Sequence, residues 1–334
     1  MTDASLKSLS ALPLRVGLVG TGYAARLRAE TLKADPRTFL VAVAGHTPEK
    51  TQVFCQTYGA TMIESWKTLV TSPSVDLVVI CTVNRDHGAI ARAALEARKH
   101  VIVEYPLALD VAEAEALIAL AQCQNCLLHV EHIELLGGVH QALKASLPQI
   151  GAVFYARYAT IKPELPAPQR WNYHQELFGF PLMGALSRLH RLIDLFGTVS
   201  TVNCQTRYQK REPTNPYYIA CLCNTQLCFN NGILAEVTYG KGETLWQAER
   251  KFEVHGEKGA LILDGDQGTL VQAGGRYPIE VGSRRGLFAK DTAMVLDHLT
   301  TDSPLYITPA ESLYTLKVAD AARRSAEEGR TIQV

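Results

Sequence analysis

Arg188 and Arg191 stand three residues apart in a stretch, 181–196, whose apolar residues recur at helical spacing, so both side chains leave one face of a helix. Two guanidinium groups there can grip carboxylates or offset negative charge that develops in a reaction. A second set, Gly20-Thr21-Gly22-Tyr23-Ala24-Ala25, follows an apolar run and opens a helical one, the context that a G-x-G-x-x-A motif requires. Gly20 permits the tight turn, Gly22 lets the backbone approach a pyrophosphate, and Ala25 keeps helix and strand close while the helix N-terminus faces the anion. NAD-preferring sites end the next strand in an acidic residue that holds the ribose hydroxyls. Here the run 39–44 ends in Gly45-His46-Thr47-Pro48, leaving His46, Thr47 and Lys50 to meet a 2′-phosphate. The expected cofactor is NADPH, with NADH accepted less well.

Two other clusters point away from chemistry. Glu131 and Glu134 lie one helical turn apart around His132 with no second ligand pair, so they are read as a cap and polar network, and no metal is expected. Cys123 and Cys126 form a C-x-x-C inside a helical pattern, not after the first strand of a redox fold, and the eight cysteines are read as reduced thiols.

The elements that must position these residues divide the 334-residue chain in two. Apolar runs at 14–19, 39–44, 76–82, 100–104 and 127–130 alternate with helical spacing at 24–34, 48–58, 86–97 and 111–122, with Asp110 and Pro48 at helix starts. This is the pattern of a doubly wound parallel sheet. Beyond about residue 151 come alternating strands at 153–160, 217–229, 233–239 and 251–255, read as one mainly antiparallel sheet, and closing helices at 291–300 and 310–328. The expected domains are 1–130 for the dinucleotide, a connecting helix 131–148, and an α+β substrate domain 149–334, closely packed with the active site in a cleft. Thirty-three basic residues balance thirty-three acidic ones, so no global field selects nucleic acid or a membrane surface. Residues 1–13 lack the apolar core of a leader, and no run is long enough to span a bilayer, so a cytoplasmic protein is expected.

Gly17-Leu18-Val19-Gly20-Thr21-Gly22, Thr82-Val83-Asn84 and Glu104-Tyr105-Pro106 resemble the glucose-fructose oxidoreductase and inositol dehydrogenase superfamily, over nearly the whole chain. The resemblance implies a Rossmann domain followed by an open-faced antiparallel sheet. It also implies that Thr82, Val83, Asn84 and His87 border the cofactor and that the turn at Glu104 and Tyr105 lies beside the nicotinamide. Sugar dehydrogenases of that superfamily carry Lys where Tyr105 stands, and Asp and His where Ser187 and Arg191 stand. Oxidising an alcohol needs a base that titrates near neutral pH, so polyol oxidation is not expected.

The replacements are similar to the biliverdin reductase family, its bacterial members in particular. The similarity runs through Glu104-Tyr105-Pro106-Leu107 and Leu128-His129-Val130-Glu131-His132-Ile133-Glu134-Leu135-Leu136. It continues in Phe154-Tyr155-Ala156-Arg157-Tyr158, Ala167-Pro168-Gln169-Arg170-Trp171 and Gly282-Ser283-Arg284-Arg285-Gly286-Leu287-Phe288. It implies hydride transfer from NADPH to the central methine carbon, C10, of biliverdin IXα, giving bilirubin. Arg188 is then the first candidate for a catalytic role, holding substrate nitrogens, an anionic intermediate or a donating water, because its own proton is held too tightly to give away. Tyr105 is the second, as proton donor or as packing against the nicotinamide. Arg188 and Arg191 are the substrate-binding candidates, and Arg284 and Arg285 either decorate a surface loop or guide propionates. Two alternatives remain: an NAD(P)-dependent oxidoreductase of the same superfamily with another substrate, and a regulatory protein that binds NAD(P) without turnover.

Overall fold

The computed structural model describes residues 13–334, so the expectation that no leader occupies 1–13 falls, apart from Pro13, outside the described residues. The chain forms two compact units: one from the chain up to Ile133 together with Gly286–Leu313, the other from Glu134–Arg285 with Tyr314–Val334.

The first unit is built on six parallel strands: β1 (Leu14–Val19), β2 (Thr38–Ala44), β3 (Thr61–Met62), β4 (Leu77–Ile80), β5 (His100–Val103) and β6 (Leu128–Val130). Their order is β3-β2-β1-β4-β5-β6, so the chain reverses its direction of travel across the sheet between β1 and β4. Every residue of β4 and β5 is buried, as expected of parallel strands covered on both faces. The two helix starts read from the sequence hold: Pro48 opens Pro48–Tyr58, and the Asp110 side chain accepts the Glu113 N–H at the start of Val111–Gln124; left-handed Gly59 ends the first of these helices. The short β3 and the Trp66–Thr71 helix were not anticipated; neither is long enough to show a period.

Helix Leu287–Thr301 joins this first unit although it follows the second unit's sheet in the chain. Asp291 and Thr292 on it are buried as partners of Arg28, a connection that chain order does not reveal.

The second unit holds a nine-stranded sheet. Its strands are β7 (Val153–Pro163), β8 (Val199–Gln209), β9 (Ala220–Phe229), β10 (Leu234–Gly242), β11 (Glu249–Gly256), β12 (Gly259–Asp264), β13 (Gln267–Gln272), β14 (Gly275–Ile279) and β15 (Ile332–Gln333). The order is β14-β13-β12-β11-β7-β10-β9-β8-β15, antiparallel throughout except for the parallel pair β7 and β10. The stretch 181–196 is not one helix. Pro181–Gly184 and Ser187–Phe196 are separated at Ala185, which leaves helical geometry where the Phe178 ring lies against Gly184, so closely that a Cβ there would sit 2.4 Å from it.

Candidate functional site

In the first unit β1 ends at Val19, and Gly20 turns the chain with φ +117°; a Cβ at this position would lie 2.2 Å from the Cys81 carbonyl oxygen. Thr21 continues the turn, and helix Tyr23–Ala34 starts after Gly22 with no side chain capping it. A Cβ on Gly22 would meet nothing within 4 Å among the described residues, and with no side-chain cap the first-turn N–H groups remain available to an anion such as a pyrophosphate. Tyr23 is exposed, Ala24 half-buried and Ala25 fully buried.

His46 and Thr47 follow β2, with His46 exposed and Thr47 half-buried. Gly45 before them has no room for a side chain: a Cβ would lie 2.2 Å from the Thr51 hydroxyl oxygen. The missing carboxylate at that position is therefore a matter of packing.

Thr82, Val83 and Asn84 leave β4, and Asn84 is buried. His87 is buried too, with Nδ1 2.8 Å from the Pro106 carbonyl oxygen and Nε2 3.3 Å from that of Thr82. Burial lowers its pKa, which favours the neutral ring, and a neutral ring has one N–H to donate, so it bonds one of these two carbonyls and only packs against the other. Behind that turn, Glu104 accepts from Arg28 Nε at 3.0 Å, and Tyr105 stacks on the His132 ring with centroids 5.3 Å apart.

Arg28 also bonds Asp291 and Thr292, and Asp291 accepts from His129 at 2.8 Å and Tyr306 at 2.7 Å. Burial alone would raise the Asp291 pKa, but Arg28, His129 and the hydrogen bonds hold it well below the carboxylate range. Glu131 accepts the Ile133 N–H at 2.7 Å, in keeping with its reading as a cap.

In the second unit, helix Ser187–Phe196 carries Arg188 and Arg191 to the wall of a cavity of about 340 Å³. Its floor comes from period-two positions of the parallel pair, where Tyr158 lies opposite Val237, Thr160 opposite Tyr239 and Lys162 opposite Lys241. Arg188 donates to Thr160 Oγ1 at 3.3 Å and Ser187 Oγ at 2.8 Å, and its guanidinium carbon lies 5.6 Å from the Tyr239 ring centroid. Arg191 donates to the Tyr158 hydroxyl at 3.2 Å and lies 5.6 Å from that ring's centroid. Its Nε is buried without a partner. Arg284 lines the same cavity; burial and the charge of Arg191 lower its pKa.

The predicted residues thus fall into two sets: Gly20 to Tyr105 assemble in the first unit, and Arg188 and Arg191 in the second. The sequence reading missed Arg28, Asp291 and Tyr306 under the first set, and Tyr158, Tyr239 and Lys241 around the second. Lys241 carried a legible signal, since it continues the buried Ala235, Val237, Tyr239 stripe of β10 with a charge.

Models of an oxidoreductase family match both units, residues 14–132 as its NAD-binding Rossmann fold and 147–334 as its C-terminal alpha/beta domain. A biliverdin reductase from Synechocystis sp. PCC 6803, solved with biliverdin and NADP+, superposes with a TM-score of 0.92 at 53% identity, covering 94% of this chain and 99% of that one. The chain belongs to the biliverdin reductase family. Biliverdin reductase A of Mus musculus is 30% identical over 197 residues, 59% of this chain and 63% of that protein. The Homo sapiens enzyme is 33% identical over 143 residues, 43% of this chain and 45% of that protein. The matched stretches span less than two thirds of either mammalian reductase.

Proposed function

We propose that the protein reduces biliverdin IXα at C10 with hydride from NADPH, giving bilirubin. The observation that carries this reading is the 53% identity across nearly all of a reductase solved with biliverdin and NADP+. The cavity supports it: tyrosine rings, with arginines on one wall, suit a flat conjugated ligand with two propionates. Polyol oxidation lacks its base, because Tyr105, Ser187 and Arg191 stand where the sugar dehydrogenases carry lysine, aspartate and histidine.

When bound, NADPH supplies the hydride that C10 accepts. The open backbone at Gly22 and the uncapped helix after it fit the pyrophosphate, and His46 and Thr47 serve the 2′-phosphate. His87, with the Arg28 and Glu104 pair, fixes the turn that carries Tyr105. Arg188 holds the negative charge that reaches the pyrrole nitrogens as C10 is reduced, and Arg191 takes a carboxylate. The proton for the nitrogen comes from water held by Arg188 or from the Tyr105 phenol.

No helix among the described residues is long and apolar enough to cross a membrane. The proposal places the enzyme in the cytoplasm, in keeping with eight cysteines none of which forms a disulfide among the described residues. The test mixes purified protein, NADPH and biliverdin and follows both chromophores. Expected is equimolar loss of NADPH and of the biliverdin visible band, with bilirubin formed and no NADP+ reduction by inositol or glucose. Sustained polyol turnover without biliverdin reduction would refute the proposal.

A further inference from the structure

Lys241 is 3% exposed in the second unit's cavity wall, on the face of β10 that otherwise buries Ala235, Val237 and Tyr239. Its Nζ donates to the Asn172 carbonyl and lies 4.0 Å from the Phe178 ring centroid, 4.7 Å from that of Tyr173, 5.5 Å from Tyr218 and 5.8 Å from Tyr239. The nearby Glu164 carboxylate is engaged elsewhere, accepting from the Tyr173 hydroxyl at 2.6 Å and from Lys162 at 3.0 Å. Among the described residues Lys241 makes no ion pair within 4.0 Å.

Ring faces and one carbonyl offset only part of the cost of desolvating an ammonium, and a methionine would fill the same space without that cost. Neighbouring Asn172, which also lines the cavity, has its Oδ1 buried with no hydrogen-bond partner. Both residues border the same cavity as Arg188 and Arg191, Lys241 with a cation and Asn172 with an unpartnered acceptor oxygen. Among the described residues no carboxylate is bonded to Lys241.

We propose that Lys241 is the buried anchor for one propionate carboxylate of the bilin, separate from the arginines of the helix. This rests on the reading of the cavity as the biliverdin site and extends it to a particular ligand group. Asn172, whose main-chain carbonyl already holds the ammonium, has its free Oδ1 as an acceptor for a donor of the same ligand, such as a pyrrole or lactam N–H, and not for the carboxylate.

The proposal has a pH signature. Burial lowers the Lys241 pKa to about 8; Cys221 and Glu164 oppose this, while the charges of Arg188 and Lys162 add to it. Tyr173, Tyr218 and Tyr239 face the ammonium as neutral phenols, each with its pKa raised by burial. A carboxylate brought against Lys241 raises its pKa again, so ligand binding draws in a proton once the free lysine has lost its own. Affinity is therefore flat at neutral pH and weakens as pH rises through about 8.

The experiment measures dissociation constants of the full chain with NADP+ present, for biliverdin and for biliverdin dimethyl ester, from about pH 6.5 to about pH 9.5. Expected for the wild type is an alkaline weakening of biliverdin binding by about tenfold or more, and no such weakening for the ester. Lys241→Met should weaken biliverdin binding near neutral pH by about tenfold or more, remove the alkaline limb, and leave the ester's affinity near its wild-type value. A flat wild-type profile with biliverdin, or an ester profile with the same alkaline limb, would overturn the proposal. The ester comparison on the wild type decides the matter even if Lys241→Met fails to fold. Absence of biliverdin binding by the wild type at every pH would overturn the substrate reading itself, which distinguishes that failure from this one.

Discussion

Arg28 in the first unit and Arg191 in the second are both arginines with no more than 3% of their surface exposed, yet they are neutralised in different ways. Arg28 meets two carboxylates, Glu104 and Asp291, and Asp291 in turn takes hydrogen bonds from His129 and Tyr306. Arg191 meets a phenol hydroxyl and the Glu134 main-chain carbonyl, and Lys241 meets a carbonyl and ring faces. A buried charge paired within its own unit is part of the scaffold, and removing one partner strands the other. A buried charge surrounded by neutral groups adds little to the fold and keeps its field for a ligand. The first unit's network therefore braces the Glu104-Tyr105-Pro106 turn, and under the proposed function the second unit's cations serve the bilin.

The comparison breaks first on stability. Arg28→Met leaves Asp291 and Glu104 without their guanidinium and should destabilise the protein by about 3 kcal/mol or more in urea unfolding. Arg191→Met removes a guanidinium that makes no ion pair within 4.0 Å among the described residues and should change stability by less than about 1 kcal/mol while raising KM for biliverdin. Equal losses from the two variants would erase the distinction. A smaller effect concerns the cofactor. An acidic residue at Gly45 would clash with Thr51, so the clean variant is His46→Asp, at an exposed site where a carboxylate repels a 2′-phosphate. The wild type should bind NADPH more tightly than NADH, and His46→Asp should shift the ratio of dissociation constants toward NADH by about tenfold. An unchanged ratio would place the 2′-phosphate elsewhere.

How much of this was legible follows from the range of the interactions. The glycine motif, the fully buried strands β4 and β5, and the capping Asp110 are local patterns, and the sequence displays them. Arg28 and Asp291 are 263 residues apart, and nothing at either position announces the other. Strand β8 escaped notice because its outward positions, among them Asn203, Gln205 and Arg207, dilute the apolar period. Short hairpin strands β12 to β14 offer too few residues for a pattern. The break at Ala185 lies beside a close approach of the Phe178 ring to Gly184, a tertiary contact that apolar spacing does not encode. The spacing puts Arg188 and Arg191 on one helical face, and both do line the cavity, but the tyrosines and Lys241 that complete it belong to the parallel pairing of β7 and β10.

The central claim is that the helix Ser187–Phe196 presents Arg188 to the tetrapyrrole and not to the cofactor. Single-turnover stopped-flow with Arg188→Ala, with NADPH affinity checked by fluorescence, tests it most directly. If Arg188 holds charge that develops only as C10 is reduced, the rate of the chemical step should fall by about a hundredfold or more while NADPH binds almost as before. Arg188→Lys keeps the charge but loses the planar fork, and should restore only part of the rate. A near-normal single-turnover rate in Arg188→Ala would contradict the account and leave Tyr105 as the group on which the reaction depends.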